Sequence, residues 1–395
     1  MHPSSPSFWG SLRPNERFMV SNLFFLYFVQ GIFIIGIGSI LPMMTDEYGL
    51  SYAVSGALIS AHNIGSLITG MFVGMLPALL GYKRTLLYFN VLPFLGFAIT
   101  LITGNPILLF IAILLTGIGR GAVNYYNNQI INYLSHGSSG PLNMLHSFFA
   151  IGALLSPFMV LLCTHGGDSG WRTAVYIIIG MGIVSMLTSP LMKMDSVSPE
   201  GGETLQPEKP FGFWHDRQFW LTAAIMLCYL SIEASIMGWL VTYFIDSGAA
   251  TESSAQMLTA LLWVVILLGR ASCILIAGKV APPTFLIFSS IGIAIFLLVI
   301  VAGTGFVPLL IGTIGLGLCM AGMYGTTVSN ATGVFKAYPL AMGFFVSLTG
   351  IGSVIAPSVI GAVAGQLGMR VGLGVLLLPA ALLILFTLMN FRKRA

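Results

Sequence analysis

Charged side chains are the scarcest feature of this sequence. Asp, Glu, Lys and Arg make up 7% of the 395 residues, whereas hydrophobic residues make up 56%. A soluble domain carries roughly 25% charged residues, so this chain cannot build a water-exposed surface of that kind. The basic residues are spread over short polar segments and form no patch, and we therefore expect no nucleic-acid partner.

Motifs for catalysis and metal binding are also missing. The four cysteines lie in or beside apolar runs without C-x-x-C spacing, which predicts small buried side chains and neither a metal site nor a disulfide. There is no H-E-x-x-H motif, no phosphate-binding loop and no soluble domain to hold a nucleotide. We expect no enzyme activity, no cofactor and no bound metal.

Apolar runs that could cross a bilayer occur repeatedly. A membrane helix needs about 20 consecutive apolar residues. The first run follows Arg13 and Arg17, is too long for a cleaved signal segment, and is interpreted as an uncleaved span. Hydropathy predicts an all-α membrane protein with twelve spans, near 18–44, 51–80, 85–103, 106–134, 143–163, 172–193, 218–246, 254–278, 283–302, 307–330, 337–363 and 370–391.

A single long polar stretch divides the spans into two sets of six. It covers residues 194–217 and holds several Gly, Pro and acidic residues. We predict an N-terminal six-helix bundle over 1–193, a cytoplasmic linker over 194–217 and a C-terminal six-helix bundle over 218–395.

Lysine and arginine are distributed unequally between the two sides. Cytoplasmic loops are enriched in these residues. With both termini cytoplasmic, only Arg172 and Arg370 fall outside, and Arg120 and Arg270 fall within spans. We therefore predict a multi-pass protein of the bacterial inner (plasma) membrane, in contact with the lipid bilayer, with cytoplasmic N- and C-termini. Arg270 lies nearer the inner end of its span, where it could extend to the interface or pair with a helix end.

The two halves share a sequence pattern. The fifth span contains a Phe pair followed by I-G-A-L-L-S-P at 151–157, and the eleventh contains a Phe pair followed by I-G-S-V-I-A-P at 351–357. Gly and Pro are common in membrane helices, which is the alternative explanation. Two similar bundles facing each other are typical of a secondary transporter with its binding site at the midplane.

These features resemble the major facilitator superfamily. The stretch from Gly74 to Arg84 is similar to the loop motif of that family between spans two and three, with Ala78 and Leu79 in place of its acid and arginine. Within the superfamily the chain resembles the fucose-permease-like sugar:proton symporters, through residues 146–157, 233–243 and 263–270. The resemblance implies two pseudo-symmetric six-helix bundles and proton coupling, but this chain has no carboxylate within the spans of its N-terminal half.

Glu233 is the one acidic residue predicted near the middle of a span. A charge at the bilayer centre costs about 2.5–3.5 kcal/mol on insertion scales, so such a residue is a functional candidate. Burial disfavours the charged form of a carboxyl group, which lets a glutamate of changing exposure bind and release a proton. We predict that Glu233 and Arg120 take part in proton coupling. The alternative is a permanent ion pair of Glu233 with Arg120 or Arg270.

Arg120 begins a polar stripe in the fourth span. Asn124, Asn127 and Asn128 follow at i+4, i+7 and i+8 and share a helical face. Carboxamides donate and accept hydrogen bonds, so this face could bind a hydroxylated solute or join neighbouring helices. Other polar or aromatic side chains could contact substrate, although packing or an interfacial aromatic belt would also explain them. The remaining substrate-binding candidates are Gln30, His62, Asn63, His146, Trp239, Tyr243, Trp263 and Tyr324.

The sequence therefore predicts a secondary active transporter that works by alternating access. We expect proton-coupled uptake, that is symport, of a sugar or a similar small polar solute by a monomer. The alternative is proton-coupled efflux of drugs or amphipathic metabolites.

Overall fold

The described residues form twelve long helices, two of which are interrupted. The computed structural model describes residues 8–73, 76, 80–135, 139–164, 170–193, 212–276 and 279–392, and within these ranges there is no β-strand. We number the long helices α1 Pro14–Tyr48, α2 Tyr52–Phe72, α3 Tyr82–Ile102, α4 Pro106–Leu134, α5 Ser139–Thr164, α6 Gly170–Thr188, α7 Arg217–Asp246, α8 Glu252–Ile276, α9 Pro282–Ala302, α10 Phe306–Met320 with Met323–Asn330, α11 Pro339–Leu367 and α12 Met369–Gly374 with Leu377–Arg392.

The predicted all-α membrane architecture is confirmed. Eleven of these helices are long and apolar enough to cross a bilayer. The remaining one, α2, has 21 residues and is less apolar because it carries His62 and Asn63. Short helical turns at Phe8–Ser11, Ser189–Leu191, Gly212–His215 and Thr332–Ala337 complete the described structure. Most of the predicted linker over 194–217 lies outside the described residues, and the domain boundaries stay a prediction.

Polar caps and glycine set several helix ends. Asn105 accepts hydrogen bonds from the backbone N–H groups of Ile107 (3.0 Å) and Leu108 (3.3 Å), and Pro106 occupies the first position of α4. Asp216 caps α7 in the same way. At the other end of α1, Gly49 has a φ of 60°, a left-handed conformation that favours glycine and ends the helix.

The two halves repeat the same helix packing. In the N-terminal half α1 packs on α5 and α2 on α4, and in the C-terminal half α7 packs on α11 and α8 on α10. The repeated glycines lie at equivalent contacts. A Cβ atom on Gly152 would overlap the carbonyl of Phe28 on α1, and one on Gly352 would overlap the carbonyl of Leu227 on α7. The I-G repeat therefore reflects an internal pseudo-symmetry.

The halves meet most closely at the end of the bundle remote from the two chain termini. There, Cβ atoms added to Gly38, Gly56 and Gly361 would overlap backbone atoms of the opposite half. We call these three residues the glycine seam. Hydrogen bonds between the halves lie at the same end, from Ser60 to the Val354 carbonyl (2.5 Å) and from Gln256 to the Ser39 carbonyl (2.9 Å).

The opposite end of the bundle leaves polar side chains accessible. Asn124, His146, Arg270 and Tyr324 lie toward the chain termini from the seam, and all four are exposed. They belong to helices of both halves. The space between the halves is therefore closed at the seam and open on the side where α1 begins and α12 ends.

Candidate functional site

Arg120 and Glu233 approach each other from opposite halves. Arg120 lies in the middle of α4 and Glu233 in the middle of α7, and each is half-buried. They interact electrostatically, and Arg270 on α8 also interacts with Glu233. Arg120 belongs to the N-terminal half, whereas Glu233 belongs to the C-terminal half, so two groups that interact across the boundary face the space between the halves. These three charges therefore line the space between the halves.

The three charges do not form a contact ion pair. Among the described residues, Arg120, Arg270 and Glu233 take part in no ion pair closer than 4.0 Å, whereas Arg172 and Glu47 are paired at 2.5 Å. That pair connects α6 to α1 at the closed end of the N-terminal half. Glu233 is therefore not held by a direct salt bridge to either Arg120 or Arg270 in this conformation.

Tyr229 holds the Glu233 carboxyl group. Its hydroxyl lies 2.9 Å from Oε1 of Glu233 and 3.2 Å from the carbonyl oxygen of Met320. Tyr229 precedes Glu233 by one helical turn, so both side chains lie on the same face of α7. Met320 ends the first segment of α10, so the hydroxyl connects the carboxyl group to the break in that helix.

The N-terminal half contributes a connected set of hydrogen bonds, which we call the amide chain. The Tyr27 hydroxyl donates to Asn124, and the Asn128 amide donates to the Tyr27 hydroxyl. Asn128 also donates to Oδ1 of Asn124 at 2.9 Å, and its own Oδ1 lies 3.2 Å from Nε2 of His146. Helices α1, α4 and α5 are therefore joined by one set of polar groups, in which Asn124, Asn128 and His146 keep accessible surface and Tyr27 is buried behind them.

Asn127 and Gln30 are directed into the N-terminal bundle instead. The Asn127 amide is fully buried and donates to the Leu23 carbonyl at 3.1 Å. The Gln30 amide donates to the backbone carbonyl of Arg120 at 3.0 Å. Both side chains join α1 to α4, so the structure assigns them a contact between helices in this conformation.

His62 and Asn63 also have protein partners. The His62 ring is buried, and its Nδ1 lies 2.8 Å from the Thr116 hydroxyl. Asn63 donates to the Ser353 carbonyl at 3.0 Å, across the boundary between the halves. His62 packs within the N-terminal half, although it interacts electrostatically with Arg120.

The predicted aromatic residues are divided between the seam and the open space. Trp239 and Tyr243 are fully buried, and donate to the carbonyls of Pro357 (3.1 Å) and Ile300 (2.8 Å). Trp263 is 4% exposed, and its ring lies 6.3 Å from that of Phe149 in the other half. Tyr324 is 43% exposed and interacts electrostatically with Glu233. Of these four, Tyr324 alone lies beside the charges.

Sequence reasoning missed two residues of this site, Tyr27 and Tyr229, which carry hydrogen bonds at its centre. Arg270 was expected either near the inner membrane interface or paired with Glu233, and the structure places it where it interacts electrostatically with Glu233. The spacing of four between Tyr229 and Glu233 was a usable signal. The loop motif from Gly74 to Arg84 lies largely outside the described residues.

The family model of the Major Facilitator Superfamily matches residues 23–332 of the chain. The chain belongs to this superfamily. Its members are transporters, so the expectation of a transporter rather than an enzyme is confirmed.

Two curated relatives are transporters. The chain is 24% identical over 359 residues to the 3-(3-hydroxy-phenyl)propionate transporter of Escherichia coli, covering 87% of this chain and 84% of that protein. It is 21% identical over 254 residues to the probable sulfoacetate transporter SauU of Cupriavidus necator, covering 60% of this chain. The match spans 59% of the length of SauU.

Solved transporter structures share the fold. The nucleoside transporter NupG superimposes with a TM-score of 0.75 at 15% identity, covering 96% of this chain and 99% of the NupG chain. The transporter FucP in its outward conformation gives a TM-score of 0.62 at 20% identity, covering 94% of this chain and 98% of FucP. The predicted resemblance to fucose:proton symporters is confirmed at the level of fold.

Proposed function

We propose that this transporter couples proton movement to the passage of a sugar or similar small polar solute between its two halves. The observation that carries the proposal is the Glu233 carboxyl group, held by Tyr229 and facing Arg120 across the space where a solute would bind. Alternating access requires the halves to close around this space on one side and open on the other.

Tyr229 gives both protonation states of Glu233 a hydrogen-bond partner. An ionised carboxylate accepts the tyrosine O–H, whereas a protonated carboxyl group donates to the tyrosine oxygen and leaves the O–H for the Met320 carbonyl. The two oxygens lie 2.9 Å and 3.2 Å from the hydroxyl. Protonation would therefore switch one hydrogen bond from α7 to the break in α10, which links the proton to a helix that lines the pathway.

The side chains that line the space between the halves favour a polar solute over an apolar one. The amide chain presents carboxamide, hydroxyl and imidazole groups, which recognise hydroxyl groups. The names of similar proteins give small cargo: sulfoacetate, nucleosides and fucose are polar, and 3-(3-hydroxyphenyl)propionate is an aromatic acid that carries a hydroxyl group and a carboxylate. These observations favour a small polar solute over an amphipathic drug.

Uptake is the direction that we propose, with the orientation that the basic residues predict. With cytoplasmic termini, the open end faces the cytoplasm and the seam closes the outside. A substrate bound from outside together with a proton would be released on this open side. The membrane would then be the plasma membrane of a bacterium.

The proposal is tested by reconstituting the protein in liposomes with an imposed pH gradient. Wild-type protein should accumulate its solute above the equilibrium level and also exchange it without a gradient. Glu233→Gln should lose accumulation and keep exchange, because a carboxamide cannot carry the proton. Glu16→Gln, at the start of α1, serves as the matched control and should accumulate normally.

Two results would contradict the proposal. If Glu233→Gln still accumulates solute, the proton is carried elsewhere. If the gradient drives export instead of uptake, the efflux alternative is correct. Loss of both exchange and thermal stability in Glu233→Gln would indicate a structural role for Glu233.

A further inference from the structure

The charges in the central space do not balance. Arg120 and Arg270 contribute two positive charges and Glu233 contributes one negative charge. In the sequence the other acidic residues lie in the linker, in loops or at helix ends. One guanidinium therefore has no carboxylate of this chain to neutralise it in the space between the halves.

A third arginine, Arg172, shows a guanidinium whose hydrogen-bond donors have partners within the protein. Arg172 donates two hydrogen bonds to Glu47, one to the Leu101 carbonyl at 2.7 Å and one to the Tyr48 hydroxyl at 3.2 Å. Across the described part of the chain, the side chains of Arg120 and Arg270 donate none. Arginine forms paired hydrogen bonds with carboxylates in a fixed fork geometry. The guanidinium groups of Arg120 and Arg270 face one space with free hydrogen-bond donors, so together they can bind an anionic group.

We propose that the solute is a hydroxylated organic anion whose carboxylate binds Arg270 and Arg120 while its hydroxyl groups bind the amide chain. This inference rests on the proposed transport function and narrows its solute class. His146 brings the two parts of the site together, because it lies 3.2 Å from Asn128 and interacts electrostatically with Arg270. A solute that carries both a carboxylate and hydroxyl groups offers a partner to each part of the site.

Counting charges shows why an anion fits proton coupling. With neutral histidines, the empty site with ionised Glu233 carries a net charge of +1. Binding one proton and one monoanion restores +1, so the empty and loaded sites are equally charged. A proton bound with a neutral sugar gives +2, a state that the low-dielectric centre of the membrane penalises. Charge balance therefore favours an anion over a neutral sugar.

The same count predicts positive coupling between proton and anion. Protonation of Glu233 raises the net charge from +1 to +2 and strengthens anion binding, and by reciprocity the anion promotes protonation. The titratable or charged groups that face this site from the helices around it are Tyr27, His62, Arg120, His146, Tyr229, Arg270 and Tyr324. The two histidines also gain charge as the pH falls, so the test must separate them from Glu233.

The test compares each acid with its reduced, uncharged alcohol. Purified full-length protein is heated with gluconate or sorbitol, glycerate or glycerol, and lactate or propane-1,2-diol. A ligand that binds the folded state raises its unfolding temperature. At least one acid should stabilise the protein, its alcohol should bind at least about tenfold more weakly, and the stabilisation should grow as the pH is lowered.

Three variants decide the assignment. Arg270→Gln should weaken binding of the stabilising acid at least about tenfold, a loss of about 1.4 kcal/mol. Arg84→Gln, an exposed arginine at the start of α3, should leave binding unchanged. Glu233→Gln should bind the acid tightly at every pH, whereas a pH dependence that persists in this variant would overturn the coupling to Glu233.

The anion proposal would be overturned if the alcohols stabilised the protein as well as the acids, if no acid stabilised it, or if Arg270→Gln bound the acid normally. It can fail separately from the proposed function. Uptake of a neutral sugar that depends on Glu233 would support proton coupling and exclude the anion. Accumulation of an anion by Glu233→Gln would support the anion and exclude Glu233 as the proton carrier.

Discussion

The two faces of the central space are built differently. On the N-terminal face, Tyr27, Asn124, Asn128 and His146 form one continuous set of hydrogen bonds. On the C-terminal face one hydrogen bond joins two side chains, Tyr229 and Glu233, and the same hydroxyl lies 3.2 Å from the Met320 carbonyl oxygen. Fixed partners hold the first face in one geometry, whereas the second has groups that can change partners when a proton or solute arrives.

This difference suggests a division of roles between the halves. A preformed hydrogen-bonding surface lowers the entropy lost when a ligand binds. An acid with few hydrogen bonds, which exchanges partners on protonation, can instead pass the effect of protonation to a neighbouring helix. We expect the N-terminal face to determine which solute binds and the C-terminal face to determine whether its binding is coupled to a proton.

The largest effect is expected from Asn128→Ala. The carboxamide of Asn128 joins Tyr27, Asn124 and His146, so its removal divides the amide chain and leaves several polar groups without partners. The expected loss of binding free energy is about 1–3 kcal/mol. We expect at least a tenfold weaker apparent affinity, measured by exchange in liposomes. Asn132→Ala, an exposed amide on the same helix, is the control. Normal affinity in Asn128→Ala would show that the amide chain is structural.

A smaller effect is expected from Tyr229→Phe. The ring remains and the hydroxyl between Glu233 and Met320 is lost. Accumulation under a pH gradient should fall by about three- to tenfold, for the loss of roughly one hydrogen bond. Exchange without a gradient should change little. If accumulation and exchange fell equally, Tyr229 would take part in solute binding, and the two faces would not differ in role.

Asn127→Ala should affect stability and leave recognition intact. The Asn127 amide bonds the Leu23 carbonyl inside the bundle, so its loss should lower the free energy of unfolding by about 1 kcal/mol. Thermal unfolding in detergent should show a midpoint lower by a few degrees at unchanged ligand affinity. A binding defect without loss of stability would place Asn127 in the solute site.

The smallest effect is expected from Tyr324→Phe. The side chain is accessible and lies near Glu233, but its hydroxyl donates no hydrogen bond to any residue within the described ranges. Apparent affinity should change by less than about threefold. A larger loss, measured in the same exchange assay, would show that the C-terminal face also contacts the solute directly.

The sequence predicted the architecture well because hydropathy and the repeat are local signals. It also selected Arg120, Glu233, Asn124 and Asn128, since polar groups within apolar spans are conspicuous. Helical spacing was too coarse for Asn127, because a shared face of α4 is broad enough to contact both α1 and the central space. Arg270 and Tyr229 depend on how α7, α8 and α10 are rotated against each other, which periodicity does not specify.

The aromatic candidates illustrate the same limit. Trp239 and Tyr243 lie on a helix with Glu233, but they occupy its closed-end half, where tight packing buries them. A ring that could stack on a solute and a ring that fills a helix contact have the same sequence signature. Only the distance along α7 from the seam distinguishes them.

The glycine seam makes the resting shape of this protein sensitive to the addition of a single methyl group. Gly38, Gly56 and Gly361 allow main chains of the two halves to touch, so a bulkier residue there would separate the halves and favour the opposite conformation, which is open at the seam. Such variants would hold the protein in a conformation that is otherwise short-lived, and could be used to raise antibodies specific for that conformation.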